Sequence, residues 1–138
     1  MNAVVIDTNI YSLAMKNNDY ATEVLMKAES ILVCSIVIGE LLSGFRFGTK
    51  VEQNLKLFNE FLDSPRVKVV DVTEKTASHY SQIFLDLKKA GKPIPTNDMW
   101  IAAVAKENGI AIATADKHFE SVPGLLLINY KSIYAIHR

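Results

Sequence analysis

The amino-acid sequence predicts an α/β protein, a three-layer α/β/α sandwich around a central, mainly parallel sheet. Short apolar runs such as Ala3-Val4-Val5-Ile6 alternate with longer helical segments along the chain. An unbroken apolar run of this length is typical of a strand covered on both faces. Strands that alternate with helices indicate parallel pairing. The 138 residues, 49% of them hydrophobic, fit one domain spanning residues 1–138.

The predicted strands share a short apolar core bounded by turn or capping residues. They are Ala3–Ile6, Ile31–Cys34, Val67–Val72, Ile110–Thr114 and Leu125–Ile128. The first strand runs directly into Asp7, and the fourth ends at Thr114-Ala115-Asp116. Open α/β sheets bind ligands at the carboxyl ends of their strands. The first strand therefore carries a carboxylate to the edge where a site is expected.

The predicted helices lie between these strands and follow capping and termination signals. They are Ile10–Met15, Tyr20–Glu29 capped by Asn18 or Asp19, Ile36–Phe47 capped by Ser35, Val51–Leu62, a long helix from the cap Thr73 to about Lys89, and about Asp98 to Asn108. A single turn is expected at His118-Phe119 and a short helix in the tail. The order is β-α-α-β-α-α-β-α-α-β-turn-β.

Charge and cysteine content narrow the class of protein. The chain has 15 lysines and arginines and 15 aspartates and glutamates, so its formal net charge is zero. Nucleic-acid binding would therefore require a local patch of basic residues, because the whole chain has no net positive charge. The single cysteine, Cys34, cannot form an internal disulfide and is expected in the core. With no apolar leader, this predicts the cytoplasm. No apolar stretch reaches the roughly 18 residues of a membrane span.

Four carboxylates stand in surroundings that do not suit them. Asp7 follows a core strand, Glu40 interrupts an apolar helix, Asp98 opens another apolar helix, and Asp116 follows a second core strand. In a parallel sheet these positions can converge at one edge. Carboxylates at close range raise one another's pKa, and a divalent cation relieves this. Oxygen ligands suit Mg²⁺ or Mn²⁺, which can polarise a phosphoryl oxygen and supply a hydroxide.

Each carboxylate also has a purely structural interpretation. Asp7 can cap the next helix, and Asp98 can complement a helix dipole. Glu40 can extend to solvent or pair with Arg46, and Asp116 can be a turn residue. The four together are more specific than any one of them.

At these residues the chain resembles the PIN-domain family, and most closely the VapC-type toxin ribonucleases of type II toxin–antitoxin systems. The resemblance covers nearly the whole chain. It rests on four motifs in the family's order, which are Val5-Ile6-Asp7-Thr8-Asn9, Ile38-Gly39-Glu40-Leu41-Leu42-Ser43-Gly44, Asn97-Asp98-Met99-Trp100-Ile101-Ala102-Ala103-Val104-Ala105 and Thr114-Ala115-Asp116-Lys117-His118-Phe119.

The resemblance implies a set of roles and partners. Asp7, Glu40, Asp98 and Asp116 match the acidic quartet that holds Mg²⁺ or Mn²⁺ and performs catalysis. The polar residues that position these carboxylates or the attacking water are matched by Thr8, Asn9, Asn97 and Thr114. The implied activity is an endoribonuclease acting on structured RNA, tRNA or rRNA. The implied partners are a cognate VapB-type antitoxin, which blocks the site, and a second toxin chain in a homodimer.

Basic side chains near the acidic rim are candidates for phosphate contacts, which position RNA without reading its sequence. They are Arg46, Lys50, Lys88, Lys89, Lys92 and Lys117. Ordinary solvated surface charge explains each of them equally well. The histidines His79, His118 and His137 share no metal-ligand spacing with one another, and His118 is a candidate for substrate contact.

Two other functions remain open. A haloacid-dehalogenase-like phosphatase also begins with a strand ending in aspartate, but its motif is Asp-x-Asp. Here Asn9 stands at the second position after Asp7, which removes the general acid of that chemistry. The other alternative is a non-catalytic RNA-binding PIN scaffold, against which the presence of all four acids argues.

Overall fold

The computed structural model describes residues 2–128, and within them the predicted order of elements is confirmed. The strands are β1 (Ala3–Ile6), β2 (Ser30–Cys34), β3 (Val67–Val70), β4 (Ile112–Ala113) and β5 (Leu127–Ile128). The helices are α1 (Thr8–Met15), α2 (Asp19–Lys27), α3 (Ser35–Phe47), α4 (Val51–Leu62), α5 (Glu74–Ala90) and α6 (Thr96–Asn108). A 3₁₀ turn, Lys117–Ser121, connects β4 to β5.

The strands described form one sheet in the order β3-β2-β1-β4-β5, and every pair is parallel. The chain adds strands outward in one direction from β1 to β3 and then returns to place β4 on the other side of β1. The strand order therefore reverses between β1 and β4. At such a reversal the connections diverge to opposite faces and leave a crevice at the carboxyl ends of the two strands. Asp7 follows β1 at this crevice, and Thr114 to Asp116 follow β4.

Helices cover both faces, which confirms the three-layer architecture. Right-handed crossovers place α1 to α4 on one face, because these helices connect β1, β2 and β3, and place α5 and α6 on the other. The helix contacts agree, since α1 packs on α2 and α3, α3 on α4, and α5 on α6. The central strand is sealed on both sides, and Val4, Val5 and Ile6 are all 0% exposed. Cys34 is buried in the same core, as expected.

Several predicted boundaries are wrong by a few residues. Strand β4 is shorter than the predicted 110–114 and β5 shorter than 125–128, because the two pair only through Ile112–Leu127 and Ala113–Ile128. Helix α6 begins at Thr96 after Pro95, not at Asp98, and β3 ends at Val70, not at Val72.

One predicted helix cap is also wrong. Helix α3 is capped by Cys34, whose sulfur accepts a hydrogen bond from the Ile36 backbone N–H, and not by Ser35. The strand therefore passes into the helix without an intervening loop residue.

The predicted tail helix and His137 lie outside the described residues. Among the residues that are described, no helix has the length and apolar character required to cross a membrane.

Candidate active site

Asp7 connects the first strand to the crevice through two hydrogen bonds. It is 3% exposed, and its Oδ1 accepts from the Ile10 backbone N–H at 3.0 Å, which makes it the cap of α1. Its other oxygen, Oδ2, accepts from the Thr114 hydroxyl at 2.5 Å. The capping interpretation of Asp7 is therefore correct, but it uses only one of the two oxygens. The second oxygen ties the end of β1 to the end of β4.

The Asp7 carboxyl is difficult to ionise in this position. Its pKa is raised from 3.8 to about 6, chiefly by burial and to a smaller extent by the charges of Asp98 and Asp116. The bonds from Thr114 and Ile10 act in the opposite direction and are included in that value. Asp7 thus interacts electrostatically with two acidic residues about 90 or more positions later in the chain.

Glu40 reaches the crevice from the second turn of α3. Its Oε1 accepts a hydrogen bond from the Thr8 hydroxyl at 2.6 Å, and the side chain is half-buried. Glu40 also lines an open groove of about 570 Å³ together with Asn97 of α6 and Ser35, Ile36, Gly39 and Ser43 of α3. The structure therefore brings Glu40, Thr8 and Asn97 to one region. Asn9 is exposed on α1, and among residues 2–128 it forms no hydrogen bond with an acidic side chain.

Asp98 and Asp116 complete the acidic group and meet at His118. The His118 Nδ1 atom lies 3.2 Å from Asp116 Oδ1 and 3.6 Å from Asp98 Oδ2. The pKa of Asp98 is raised, first by burial and then by the charges of Asp116 and Glu40, while His118 lowers it. All four sequence-predicted acids are thus electrostatically coupled, because Asp98 interacts with Asp116, Glu40 and Asp7.

Thr114 connects the two aspartates of this edge. Its hydroxyl donates to Asp7 and accepts from the Asp116 backbone N–H at 2.9 Å. Its carbonyl accepts from the Tyr20 hydroxyl at 3.1 Å, and that hydroxyl also contacts the carbonyl of Ile128 on β5. Burial raises the pKa of Tyr20 to about 12, so it remains a donor. Sequence reasoning missed Tyr20, because nothing local relates it to a residue 94 positions away.

The donor set fits a divalent cation. Within residues 2–128, no lysine or arginine forms an ion pair with Asp7, Glu40, Asp98 or Asp116, and the His118 imidazole is the basic group that approaches Asp98 and Asp116. Burial and the charges of neighbouring carboxylates raise the pKa values of Asp7 and Asp98. Asp98, Asp116 and His118 offer ligand atoms that all lie within 4.8 Å of one another. This is the chemistry of a site that binds a hard or borderline metal ion.

Among the residues described, the basic candidates form no ion pair with the four acids. Lys117 adjoins Asp116, and Arg46 lies in the last turn of α3, while Lys88 and Lys89 lie in the last turn of α5, followed by Lys92. All of them are exposed. Lys88 also lines an apolar groove of about 350 Å³ that includes Met99, the neighbour of Asp98. Their contact with phosphate stays a prediction.

Comparison with known proteins gives a consistent picture. The PIN domain model matches residues 4–125. Ribonuclease VapC2 of Rickettsia felis is 32% identical over 131 residues, covering 91% of this chain and 96% of that protein. The tRNA(fMet)-specific endonuclease VapC of Shigella flexneri is 30% identical over 124 residues, covering 88% of this chain and 92% of that protein.

Solved structures agree with this comparison. VapBC2 from Rickettsia felis, bound to a DNA fragment from its promoter, superposes with a TM-score of 0.82 at 29% identity, covering 94% of this chain and 98% of that one. DNA-bound VapBC from Salmonella typhimurium superposes with a TM-score of 0.83 at 27% identity, covering 94% and 98% of the two chains.

Proposed function

The chain belongs to the PIN domain family, and from that premise we propose that it is a metal-dependent endoribonuclease toxin of the VapC type. The observation that carries the proposal is geometric: at the crevice between β1 and β4, Thr114 bonds to Asp7, Thr8 bonds to Glu40, and the His118 imidazole lies 3.6 Å from Asp98 and 3.2 Å from Asp116. The ribonuclease names of relatives at 30% identity or more support the activity. We assign the nuclease to a single domain over residues 1–138.

The four carboxylates are proposed as the ligands of Mg²⁺ or Mn²⁺. When bound, such a cation polarises a phosphoryl oxygen and supplies a hydroxide for in-line attack. Asp7 is held for this task by Thr114 and by the start of α1, which restricts its rotation. Thr8 orients Glu40, and Asn97 faces the same groove, where it can position the scissile phosphate or the attacking water.

The proposed reaction is hydrolysis with water as the nucleophile. It leaves a 5′-phosphate and a 3′-hydroxyl, because the 2′-hydroxyl of the RNA takes no part. The exposed basic residues Arg46, Lys88, Lys89, Lys92 and Lys117 are proposed to contact phosphates along the strand. The proposed substrate class is structured RNA, tRNA or rRNA, and the tRNA(fMet) specificity of the Shigella flexneri relative favours testing tRNA first.

A VapB-type antitoxin is the proposed partner, with a second toxin chain in a homodimer, in the cytoplasm. Solved VapBC complexes that match nearly the whole chain support the antitoxin. An antitoxin that covers the crevice would block both the carboxylates and the groove beside Glu40.

The test is RNA cleavage by purified protein in the presence and absence of Mg²⁺ or Mn²⁺. We expect cleavage of tRNA that requires the cation and falls at least about 100-fold in Asp98→Asn and in Asp7→Asn. Asp63→Asn is the matched control, because Asp63 is exposed at the end of α4, next to the start of β3 and away from the crevice. End mapping must find 5′-phosphates, since a 2′,3′-cyclic phosphate would contradict the water mechanism.

Two outcomes would favour the alternatives. Turnover of small phosphomonoesters through an aspartyl phosphate on Asp7 would support the phosphatase, although Asn9 lacks the acid required. RNA binding without cleavage under any divalent cation would leave the non-catalytic scaffold.

A further inference from the structure

We propose that His118 is itself a ligand of the divalent cation, through Nδ1, and that this nitrogen makes the site prefer Mn²⁺ to Mg²⁺. The inference rests on the proposed function, because it concerns the same cation. It adds a fifth residue, and a different kind of donor atom, to the four carboxylates.

The spacing of the three donor atoms carries the argument. Nδ1 of His118 lies 3.2 Å from Asp116 Oδ1 and 3.6 Å from Asp98 Oδ2, and one ligand atom from each residue lies within 4.8 Å of the others. In an octahedral site with bonds of about 2.1 Å, adjacent ligand atoms are about 3.0 Å apart and opposite ones about 4.2 Å apart. The two distances from Nδ1, 3.2 and 3.6 Å, therefore lie between the spacings of adjacent and opposite ligands of one coordination sphere.

The fold holds the imidazole in this position. His118 is the second residue of the 3₁₀ turn, and its backbone N–H donates to Asp116 Oδ1 at 2.9 Å. The next residue, Phe119, is 1% exposed and anchors the turn in the core. The His118 side chain is nevertheless 52% accessible, so an ion can reach it from solvent. A residue such as His118, with a fixed backbone and a solvent-accessible side chain, is suited to bind an ion that enters from solvent.

A simple positioning role explains the geometry less well. The Nδ1–H of an imidazole has one hydrogen and can point at one oxygen, whereas oxygens of both Asp98 and Asp116 approach this nitrogen. A cation placed between the three residues contacts all of their donor atoms at once.

The nitrogen donor predicts the metal preference. Mg²⁺ binds oxygen ligands and retains water, so it gains little from an imidazole. First-row transition metals accept nitrogen more readily, and Mn²⁺ is the member of that series that also suits carboxylates. A site with four carboxylates and one imidazole is therefore expected to favour Mn²⁺.

Pulsed electron paramagnetic resonance of protein loaded with Mn²⁺ alone tests the ligand directly. The spectrum of the parent protein should contain the hyperfine coupling of a nitrogen bound to the metal, and labelling histidine with ¹⁵N should change that coupling. His118→Asn, which replaces the nitrogen with an amide oxygen at a similar position, should abolish it. His79→Asn is the matched control, because His79 is exposed on α5, and His137→Asn controls for the third histidine. Both controls should retain the coupling.

Calorimetric titration with Mn²⁺ and with Mg²⁺ tests the preference. The dissociation constant for Mg²⁺ divided by that for Mn²⁺ should fall about tenfold in His118→Asn, mainly because Mn²⁺ binds more weakly. Bound Mn²⁺ without nitrogen coupling in the parent protein, or an unchanged ratio in His118→Asn, would overturn the inference. If the parent protein still cleaves RNA with a divalent cation in that case, the proposed function survives and only the role of His118 fails. If it neither binds Mn²⁺ nor cleaves RNA, both fail.

Discussion

Asp7 and Tyr11 lie one helical turn apart on the same segment and are almost equally buried, at 3% and 2% exposed, but their surroundings are opposite in kind. The Tyr11 ring packs edge-on against Phe58 and Phe61, each with a centroid distance of 5.1 Å. Asp7 accepts hydrogen bonds from the Thr114 hydroxyl and the Ile10 backbone N–H, and burial is the main cause that raises its pKa to about 6. The aromatic cluster of Tyr11, Phe45, Phe58 and Phe61 stabilises the fold. The acidic rim, which consists of Asp7, Glu40, Asp98 and Asp116, contains a carboxylate, Asp7, whose ionised form is disfavoured by burial.

Helix α1 therefore joins a region that stabilises the fold, the aromatic cluster, to one that destabilises it, the acidic rim. Helix α1 begins at the rim with Asp7 as its cap and reaches the aromatic cluster within its first turn. Unfavourable local interactions such as a buried ionised carboxylate are common at functional sites, and favourable packing elsewhere in the fold must compensate for them. Variants in the two regions should therefore change the free energy of unfolding in opposite directions.

The largest effect is expected in the aromatic cluster. Phe58 is 1% exposed and contacts the rings of Tyr11, Phe45 and Phe61, so Phe58→Ala leaves a cavity. We expect a loss of about 3–5 kcal/mol in the free energy of unfolding, measured by urea denaturation. Phe47→Ala is the same chemical change at a side chain that is 96% exposed and should alter stability by less than about 0.5 kcal/mol. Equal losses in the two variants would refute the role given to the cluster.

The second effect is stabilisation by the cation. A ligand at about 100 times its dissociation constant raises the stability of the folded state by about 2.7 kcal/mol. Mn²⁺ should therefore raise the unfolding temperature of the parent protein, and Asp98→Asn should abolish most of that increase. Calorimetric scans with EDTA or with Mn²⁺ measure it, and Asp63→Asn should respond as the parent does. A similar increase in Asp98→Asn would place the cation elsewhere.

The third effect depends on pH and concerns Asp7 in the metal-free protein. Its pKa is about 6 in the folded state and 3.8 as the reference for the unfolded chain, so the folded state binds the proton more tightly. The contribution of Asp7 to stability is therefore full below the lower value and is lost as the pH rises through the higher one.

Asp7→Asn removes that charge and should make the metal-free protein more stable than the parent by about 3 kcal/mol above about pH 7. The difference should vanish below about pH 3, where Asp7 is protonated in both states. Urea denaturation in EDTA across this range measures it. A destabilised variant at neutral pH would mean that the hydrogen bonds of the carboxylate outweigh its burial.

The smallest effect is expected at the junction between the regions. Tyr20 is 4% exposed, and its hydroxyl lies within hydrogen-bond distance of the carbonyls of Thr114, which follows β4, and of Ile128 in β5, so Tyr20→Phe leaves both carbonyls without that hydroxyl. We expect a loss of about 1 kcal/mol. The control is Tyr80→Phe, in which the ring stacked at 4.0 Å on Trp100 is retained. If Tyr20→Phe and Tyr80→Phe were equally stable, the Tyr20 hydroxyl would not stabilise the position of Thr114.

Much of this arrangement follows from local patterns in the sequence. Apolar runs and capping residues predicted the element order, because hydrophobic period and turn chemistry are local properties. The exact ends of β4 and the start of β5 were not predictable, because they depend on pairing with neighbouring strands that are distant in sequence. The Cys34 cap was missed since sulfur is an uncommon acceptor at that position.

The sequence by itself determined that Asp7, Asp98 and Asp116 stand at strand ends or a helix start, since each adjoins an apolar run that must be buried. Only the tertiary structure decided that these residues meet. The order β3-β2-β1-β4-β5 places β4 beside β1, which brings Thr114 to Asp7 across 107 positions and His118 to Asp98. Strand order depends on how all helices and strands pack together, and no short stretch of sequence contains that information.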